Sequence, residues 1–480
     1  MTLSTPVEAT TPPEAAPRRR TRRWIDDWRP EDGSFWAATG ARTARRNLLW
    51  SIFAEHLGFS VWMIWSVSAA FLAAAGFDFT PQQLFFLVAI PSLVGALLRL
   101  PYTFAVPAFG GRNWTIFSAL ALLVPTAGYA VAVTHPGTPY WAFCVFAAFA
   151  GVGGGNFASS MTNINFFYPA RLKGTALGLN AAGGNLGVAL VQLLLPVIVG
   201  GAGIFGLVQA SAGGVHLERA AYVYAGLAVV AAVAAYLFMD NLGTAKSSPR
   251  AQLAIVRNPH TWVMSFLYIG TFGSFMGFSS AMPLLIKLNF WVPAPAPLGT
   301  GIYFAYFAFL GALVGSATRP LGGWLADRLG GARVTLAAFG GLVVATLAVL
   351  WTLTQLTANP TADPAIASAN EGRFWWFLGF FLLVFAATGI GNGSTYKMIP
   401  SLYETPAQSS AALGVIGAVG ALGGFLIPIA FNSPWVHSPL AATKGAFVVF
   451  AGYYIVCGAV TYACYLRRPA LVAGLVDSPV

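Results

Sequence analysis

The chain has 480 residues, of which 57% are apolar and 9% charged, with a formal net charge of +11 and a mean hydropathy of +0.69. A soluble protein of ordinary composition carries about 25% charged residues, so these values exclude that class and indicate a polytopic membrane protein. Cys144, Cys457 and Cys464 all fall in apolar runs, and the 5 histidines form no HExxH or other ligand cluster, so no disulfide framework, metal site or cofactor is expected.

In chain order, residues 1 to 46 read as a basic cytoplasmic N-terminal tail. Its first residues, rich in Thr, Pro and Glu, have the composition of a disordered segment. The run Pro17-Arg18-Arg19-Arg20-Thr21-Arg22-Arg23 reads as a contact for anionic lipid rather than for nucleic acid. The first apolar run begins near position 47 and is too long for the core of a cleaved signal. A spanning helix needs about 20 predominantly apolar residues. Twelve segments meet that need: 47 to 76, 83 to 108, 113 to 134, 140 to 165, 174 to 201, 219 to 241, 260 to 286, 299 to 325, 334 to 356, 374 to 398, 409 to 431 and 443 to 466. The break at 242 to 259, carrying Lys246, Arg250 and Arg257, divides them six and six. The expected organisation is therefore an N-terminal six-helix bundle over 47 to 241, a cytoplasmic linker, a C-terminal six-helix bundle over 260 to 466, and a cytoplasmic tail over 467 to 480.

The charges set an orientation. With the N-terminus inside, the outward loops hold only Arg219, Lys287, Arg373 and Lys444, and Arg99, Arg319 and Lys397 read as intramembrane. Every other Lys or Arg among the 26 is on the inner side. This is the positive-inside pattern, and it explains the net charge without nucleic acid.

Arg99 and Arg319 stand at matching places in the two halves. Each lies eleven residues before a Gly-Gly pair, Gly110-Gly111 and Gly330-Gly331, and a second register pairs Asn156 with Asn392. Internal repeats of this kind mark transporters whose halves rock about a central site. A guanidinium at bilayer depth costs roughly 2.5 to 3.5 kcal/mol on insertion scales, so a duplicated one implies a task, here an anion site between the halves. Arg99 lies about nine residues from the inner end of its span, or roughly 13 Å at the helical rise, and Arg319 is at similar depth. Neither has an acidic partner in its own helix, which leaves a positive potential for an anion to satisfy.

Two glycine-rich runs accompany them, Gly151-Val152-Gly153-Gly154-Gly155-Asn156-Phe157-Ala158-Ser159-Ser160 and Thr388-Gly389-Ile390-Gly391-Asn392-Gly393-Ser394-Thr395. Neither has the Lys-Ser or Lys-Thr ending of a phosphate loop, and small residues in membrane helices ordinarily allow close packing. Each run also brings an Asn and hydroxyl residues toward the expected pathway.

The loop Gly322-Gly323-Trp324-Leu325-Ala326-Asp327-Arg328-Leu329-Gly330-Gly331 resembles the inter-helix signature of the major facilitator superfamily. Its first-half counterpart, Pro107 to Arg112, lacks the acidic residue. Residues 151 to 192 and the run GIGNGSTYKMIP at 389 to 400 resemble the two signature motifs of the nitrate/nitrite porter family within that superfamily, and the likeness extends from Trp28-Arg29-Pro30-Glu31-Asp32 to the last helix. The resemblance implies an all-α membrane protein of twelve transmembrane helices in two pseudo-symmetric six-helix bundles, the major facilitator fold. It implies an inner-membrane transporter of nitrate and nitrite that needs no cofactor and works as a monomer. By the same resemblance Arg99 and Arg319 clamp the anion, Tyr268 donates a hydrogen bond, Asn185 makes a polar contact, and Phe157, Phe272 and Phe385 form apolar walls. Gly414 and Gly417 let the eleventh helix approach, and Gly155, Asn156, Ser159, Gly391, Asn392 and Ser394 belong to the signatures. The chemistry agrees, since nitrate and nitrite are planar oxyanions and a guanidinium is a planar fork of donors.

No Walker A loop is present, so an ion gradient or exchange must drive transport. Glu55 and His56, in the first span near the depth of Arg99, form a reasonable proton relay, the alternative being that Glu55 neutralises Arg99 or Lys397. The resemblance implies apolar residues here in members that exchange nitrate for nitrite. Their presence, with only a short link at 399 to 408, favours nitrate uptake by proton symport, with nitrate/nitrite antiport as the runner-up. Rival readings are an exporter of drugs or organic anions, an anion channel, a sensor and, least favoured, an enzyme, since the ionisable groups in the spans form no nucleophile and base set.

Overall fold

In the computed structural model, the residues described are 23–200, 214–245, 254–291, 302–359, 363–403, 406–432 and 438–467. The cluster Arg18 to Arg22, linker residues Lys246 and Arg250, and the C-terminal tail beyond 467 lie outside them.

Apolar runs of about 20 residues fold as helices in lipid because only a helix satisfies the backbone within one segment. Among the described residues they give α1 (Gly33–Phe71), α2 (Pro81–Phe109), α3 (Gly111–Thr134), α4 (Tyr140–Phe167), α5 (Ala170–Ile198), α6 (Glu218–Phe238), α7 (Pro259–Phe290), α8 (Phe304–Leu329), α9 (Gly331–Thr354), α10 (Ala365–Leu402), α11 (Gln408–Phe431) and α12 (Pro439–Leu466). Eleven are long and apolar enough to cross a membrane on length and composition. The other, α8, is of similar length, but Arg319, Asp327 and Arg328 lower its hydropathy. Because the helices alternate in direction, both ends of the bundle open on one side, called here the basic face, where α2 and α8 also end.

Those two ends are equivalent in detail. Gly110 closes α2 at φ 87° and Gly330 closes α8 at φ 90°. A side chain is strained at such angles, so the glycine eleven residues after each arginine is where its helix must stop. The halves meet chiefly through α2 against α11 and α5 against α8, a pair of contacts related by the repeat.

The first helix starts earlier than the hydropathy indicates. Asp32 caps it by accepting from the Ser34 and Phe35 amides, and the Ser34 hydroxyl and these amides hold its carboxyl below the usual range. Exposed Arg42, Arg45 and Arg46 mask this turn in the sequence, while Trp28 and Trp36 bury against Phe167 and Leu242. A short parallel pair, β1 (Trp24–Ile25) with β2 (Asn241–Leu242), ties the N-terminal segment to the chain after α6. Buried Asp240 holds this junction, accepting from Arg46 Nη2 at 2.5 Å and Asn47 Nδ2 at 3.0 Å.

Lys397 is paired rather than alone: near the basic end of α10, with its side chain 47% exposed, its Nζ is 2.6 Å from Asp327 Oδ1 of α8, so it does not take Glu55 as its counter-charge.

Candidate functional site

Arg99 is fully buried on α2 and Arg319 is 4% exposed on α8. Among the described residues neither forms an ion pair within 4.0 Å. Arg99 is anchored rather than neutralised: Nε donates to the Gly154 carbonyl of α4 at 3.1 Å and Nη1 to the Gly417 carbonyl of α11 at 2.8 Å. Its Nη2 has no acceptor, and the terminal nitrogens of Arg319 make no hydrogen bond of ordinary geometry, having only the Tyr268 hydroxyl beside them. A buried donor without an acceptor costs roughly 1 to 3 kcal/mol, and more when charged, so three guanidinium nitrogens left free at one interface indicate a missing anionic acceptor.

Aromatic rings enclose them. Phe157 of α4 and Phe272 of α7 stack at 5.8 Å and 25° across the interface between the halves. The Arg99 guanidinium lies 4.5 Å and 4.7 Å from their ring centroids, and Arg319 lies 5.7 Å from Phe157. Tyr268 stacks on Phe272 at 5.2 Å and is fully buried, its hydroxyl facing Arg319 without a hydrogen bond of ordinary geometry. Both rings are on α7 beside a π-helical turn over Ile269–Gly273, a widening that re-aims side chains and recurs at functional sites. The set can hold a small flat anion by donors at its edge and rings at its faces.

The glycine runs act through close approach. A Cβ on Gly389 would lie 2.3 Å from the Gly315 carbonyl, and one on Gly154 would lie 3.0 Å from Gly95 Cα, so α8 meets α10 as α2 meets α4. Gly155 abuts the ring of Tyr102 and Gly391 the side chain of Thr271. Ser159 donates to the Asn156 carbonyl, and Ser394 donates to the Gly391 carbonyl and shares a hydrogen bond with the Thr335 hydroxyl. Asn156, Asn185 and Asn392 are buried with both amide ends unpaired, and none bonds an arginine. Gly417 supplies the carbonyl for Arg99, and Gly414 presses on Thr103.

Two expected members sit apart. Phe385 packs against Phe275, Phe278 and Phe381 inside the C-terminal half, where Gly311 makes room for it. His56 donates Nδ1–H to the Gly183 carbonyl of α5 at 3.1 Å and does not bond Glu55, because adjacent helical residues point about 100° apart. Glu55 itself is buried, accepts from Asn180 Nδ2 at 2.6 Å, and leaves Oε1 unpaired against Gly184. Asn180 also donates to Ser160, which shares a hydrogen bond with Ser51 at 2.9 Å. Both guanidiniums lie within electrostatic range of Glu55 without pairing to it.

The residues that the sequence reading passed over are Asn180, Trp62, whose ring lies 5.6 Å from Arg99, and Tyr396, whose ring lies 5.4 Å from Arg319. The signal for Tyr396 was its place four residues after Asn392, one helical turn along the same face.

Contacts between the halves close the site on both sides. On the basic side Asn165 of α4 donates to Ser410 of α11. On the opposite side Gln192 of α5 donates to the Ser279 carbonyl of α7 at 2.6 Å and Ser66 of α1 to the Ser280 carbonyl at 2.9 Å. A narrow crevice lined by Phe157, Asn165, Tyr396, Ser410 and Gly414 approaches the arginines beside the basic-side contact.

Two six-helix halves clasping buried cations at their interface define a transporter of the major facilitator superfamily, whose family model, described as Major Facilitator Superfamily, matches residues 56–428. The solved proton:xylose symporter XylE, bound to 6-bromo-6-deoxy-D-glucose, has the same fold, with a TM-score of 0.62 over 88% of this chain and 96% of that one at 14% identity. The chain is 37% identical over 477 residues to the nitrate/nitrite transporter NarU of Escherichia coli (strain K12), covering 94% of this chain and 98% of the relative. It is 38% identical over 418 residues to the probable nitrate/nitrite antiporter NarK2 of Thermus thermophilus, covering 84% and 88%. Within the superfamily the chain therefore belongs to the nitrate/nitrite porter family.

Proposed function

We propose that this chain transports nitrate, and nitrite with it, by alternating access, taking up nitrate by proton symport. The observation that carries the reading is the set of three unpartnered guanidinium nitrogens, contributed by both halves to one buried place. Arg319, with both terminal nitrogens free, offers a bidentate fork to two oxygens of the ion, and Arg99, tied to Gly154 and Gly417, offers one more donor. Tyr268 adds a hydroxyl, and Phe157 and Phe272 exclude water from the faces. Because the donors come from both halves, a bound anion draws the halves together, and its loss lets either face part.

The basic face is proposed to be cytoplasmic, with both termini inside the inner membrane, by the asymmetry of Lys and Arg. The Arg18 to Arg23 run is proposed to contact anionic lipid. A monomer suffices, since one chain supplies both arginines.

An inside-negative potential opposes anion entry by about 2.3 kcal/mol per charge per 100 mV, so one proton per nitrate makes uptake electroneutral and two make it favourable. Glu55 is the proposed carrier. It lies in the field of both guanidiniums without being paired to them, and its free Oε1 can accept a proton. His56, turned toward α5, has a supporting place in this scheme.

Electroneutral exchange is the second reading, favoured by the antiporter name of the Thermus relative. Proteoliposomes decide between them. Nitrate uptake under an imposed pH gradient identifies symport, uptake only into nitrite-loaded vesicles at uniform pH identifies exchange, and neither would refute nitrate transport.

A further inference from the structure

We propose that Tyr396 is an additional anion ligand, whose hydroxyl donates a hydrogen bond to the oxygen of the substrate that the Arg319 fork leaves unbound. The inference rests on the nitrate and nitrite reading given above. Tyr396 is on α10, and its ring lies 5.4 Å from the Arg319 guanidinium, 6.0 Å from the ring of Tyr268 and 6.2 Å, edge to face, from Phe157 of the other half. Its hydroxyl is shut off from solvent and has no hydrogen-bond partner. The phenol is within electrostatic range of Arg319, Arg99 and Tyr268, so it belongs to the same chamber.

The chemistry of the chamber leaves little else for this hydroxyl to do. Five polar groups without a hydrogen bond of ordinary geometry lie there: Arg99 Nη2, Arg319 Nη1 and Nη2, the Tyr268 hydroxyl, which faces Arg319, and the Tyr396 hydroxyl. The guanidinium nitrogens can only donate, and the phenols face them, so the phenols cannot supply each other and the arginines with enough acceptors. An oxyanion meets all five. A fork from Arg319 takes two oxygens side by side. In nitrate the third oxygen points away from that fork in the ion's plane, while nitrite has only a nitrogen lone pair there, a weaker acceptor. Arg99 is restrained by its bonds to Gly154 and Gly417 and brings a single free donor. Tyr396 also lines the crevice on the basic side, so it borders both the chamber and that route. A donor at the third oxygen favours the three-oxygen ion over the two-oxygen one.

The test is Tyr396→Phe, which keeps the ring and its contacts and removes one oxygen. Dissociation constants for nitrate and nitrite are measured by calorimetry on the purified full chain in detergent, with the thermal midpoint as the check on folding. The expected result is an unchanged midpoint, nitrate affinity weaker by about ten-fold, the usual worth of a hydrogen bond to a charged group, and nitrite affinity weakened less. Nitrate affinity equal to that of the unsubstituted chain, or equal weakening of both ions, overturns the assignment. If Tyr396→Phe fails to fold, Tyr396→Met, which also lacks a donor, is assayed in the same way, and undiminished nitrate preference in it overturns the assignment as well. If the unsubstituted chain binds neither ion, it is the substrate reading that has failed, and that outcome removes the basis of this inference.

Discussion

Arg99 on α2 donates from Nη1 to the carbonyl of Gly417 on α11, 2.8 Å away, so a cation of one half is aimed by the backbone of the other. The bond crosses the surface along which the halves must part. Any state that separates α2 from α11 frees a second donor of Arg99, and the geometry of the anion site then differs between closed and open forms. Arg319 has no such anchor. The two arginines are related by the repeat but are not equivalent.

Lysine substitutions separate these roles. Arg319→Lys keeps the charge and loses the fork, and nitrate affinity is expected to fall by about ten- to hundred-fold, corresponding to roughly 1.5 to 3 kcal/mol for bonds to a charged group. The thermal midpoint should move little, because the terminal nitrogens of Arg319 have no backbone carbonyl to hold, only the Tyr268 hydroxyl beside them. Arg99→Lys should lose comparable affinity and also lower the midpoint, since two carbonyls lose their donor. Wild-type affinity in Arg319→Lys would count decisively against the site.

The glycines of α11 give a steric prediction. A Cβ at Gly414 would lie 2.5 Å from Thr103 Oγ1, whereas one at Gly417 would lie 3.7 Å from Arg99 Nη1 and 3.9 Å from Phe157. The first is a clash and the second an ordinary contact. Gly414→Ala should therefore slow uptake by several-fold at an overpacking cost of about 1 to 3 kcal/mol, and Gly417→Ala should stay near wild type. Adding Thr103→Ala to Gly414→Ala should restore much of the rate, measured as initial uptake in proteoliposomes.

At the N-terminal junction, Asp240→Asn removes the negative charge that faces Arg46 and Arg23 while keeping the bonds with Asn47 within reach. The two arginine side chains are 41% and 37% exposed, so the pairing is partly screened and worth about 1 kcal/mol. A fall of a few degrees in the thermal midpoint is expected, with the difference shrinking in high salt. A midpoint difference that does not depend on salt would point instead to packing at Trp28 and Trp36.

The arginine pair was legible in the sequence because a charge in an apolar run has few physical explanations, and its repetition removed most of them. By contrast, 322 to 331 reads as a loop, and the helix in fact continues to Leu329 and stops at Gly330. The start of α1 was not legible, since its outward face carries Arg42, Arg45 and Arg46 and its buried face only scattered tryptophans. The partner of Lys397 was not legible, because Asp327 is remote in sequence and on another helix. Phe385 and Tyr396 show the limit for aromatics. Of 37 phenylalanines and 16 tyrosines, most carry no sign of which reach the centre, and Tyr396 had only its place one helical turn after Asn392, to which the structure adds an orphaned hydroxyl.

Glu55 links the anion to the proton if the field it shares with the arginines does the coupling. A charged carboxylate within range of both guanidiniums weakens their hold on an anion, and protonating it relieves the repulsion, so proton and nitrate each favour binding of the other by the same factor. Nitrate affinity should therefore fall as pH rises. Glu55→Gln, nearly the same in shape and able to keep a bond with Asn180, should bind nitrate tightly and independently of pH. It should also lose accumulation driven by a pH gradient while retaining nitrate/nitrite counterflow. Calorimetry across pH 5 to 8 and paired transport assays on one reconstituted batch measure both. A pH slope that survives in Glu55→Gln would assign coupling to another group, and counterflow lost together with uptake would make Glu55 a structural residue of the closed bundle.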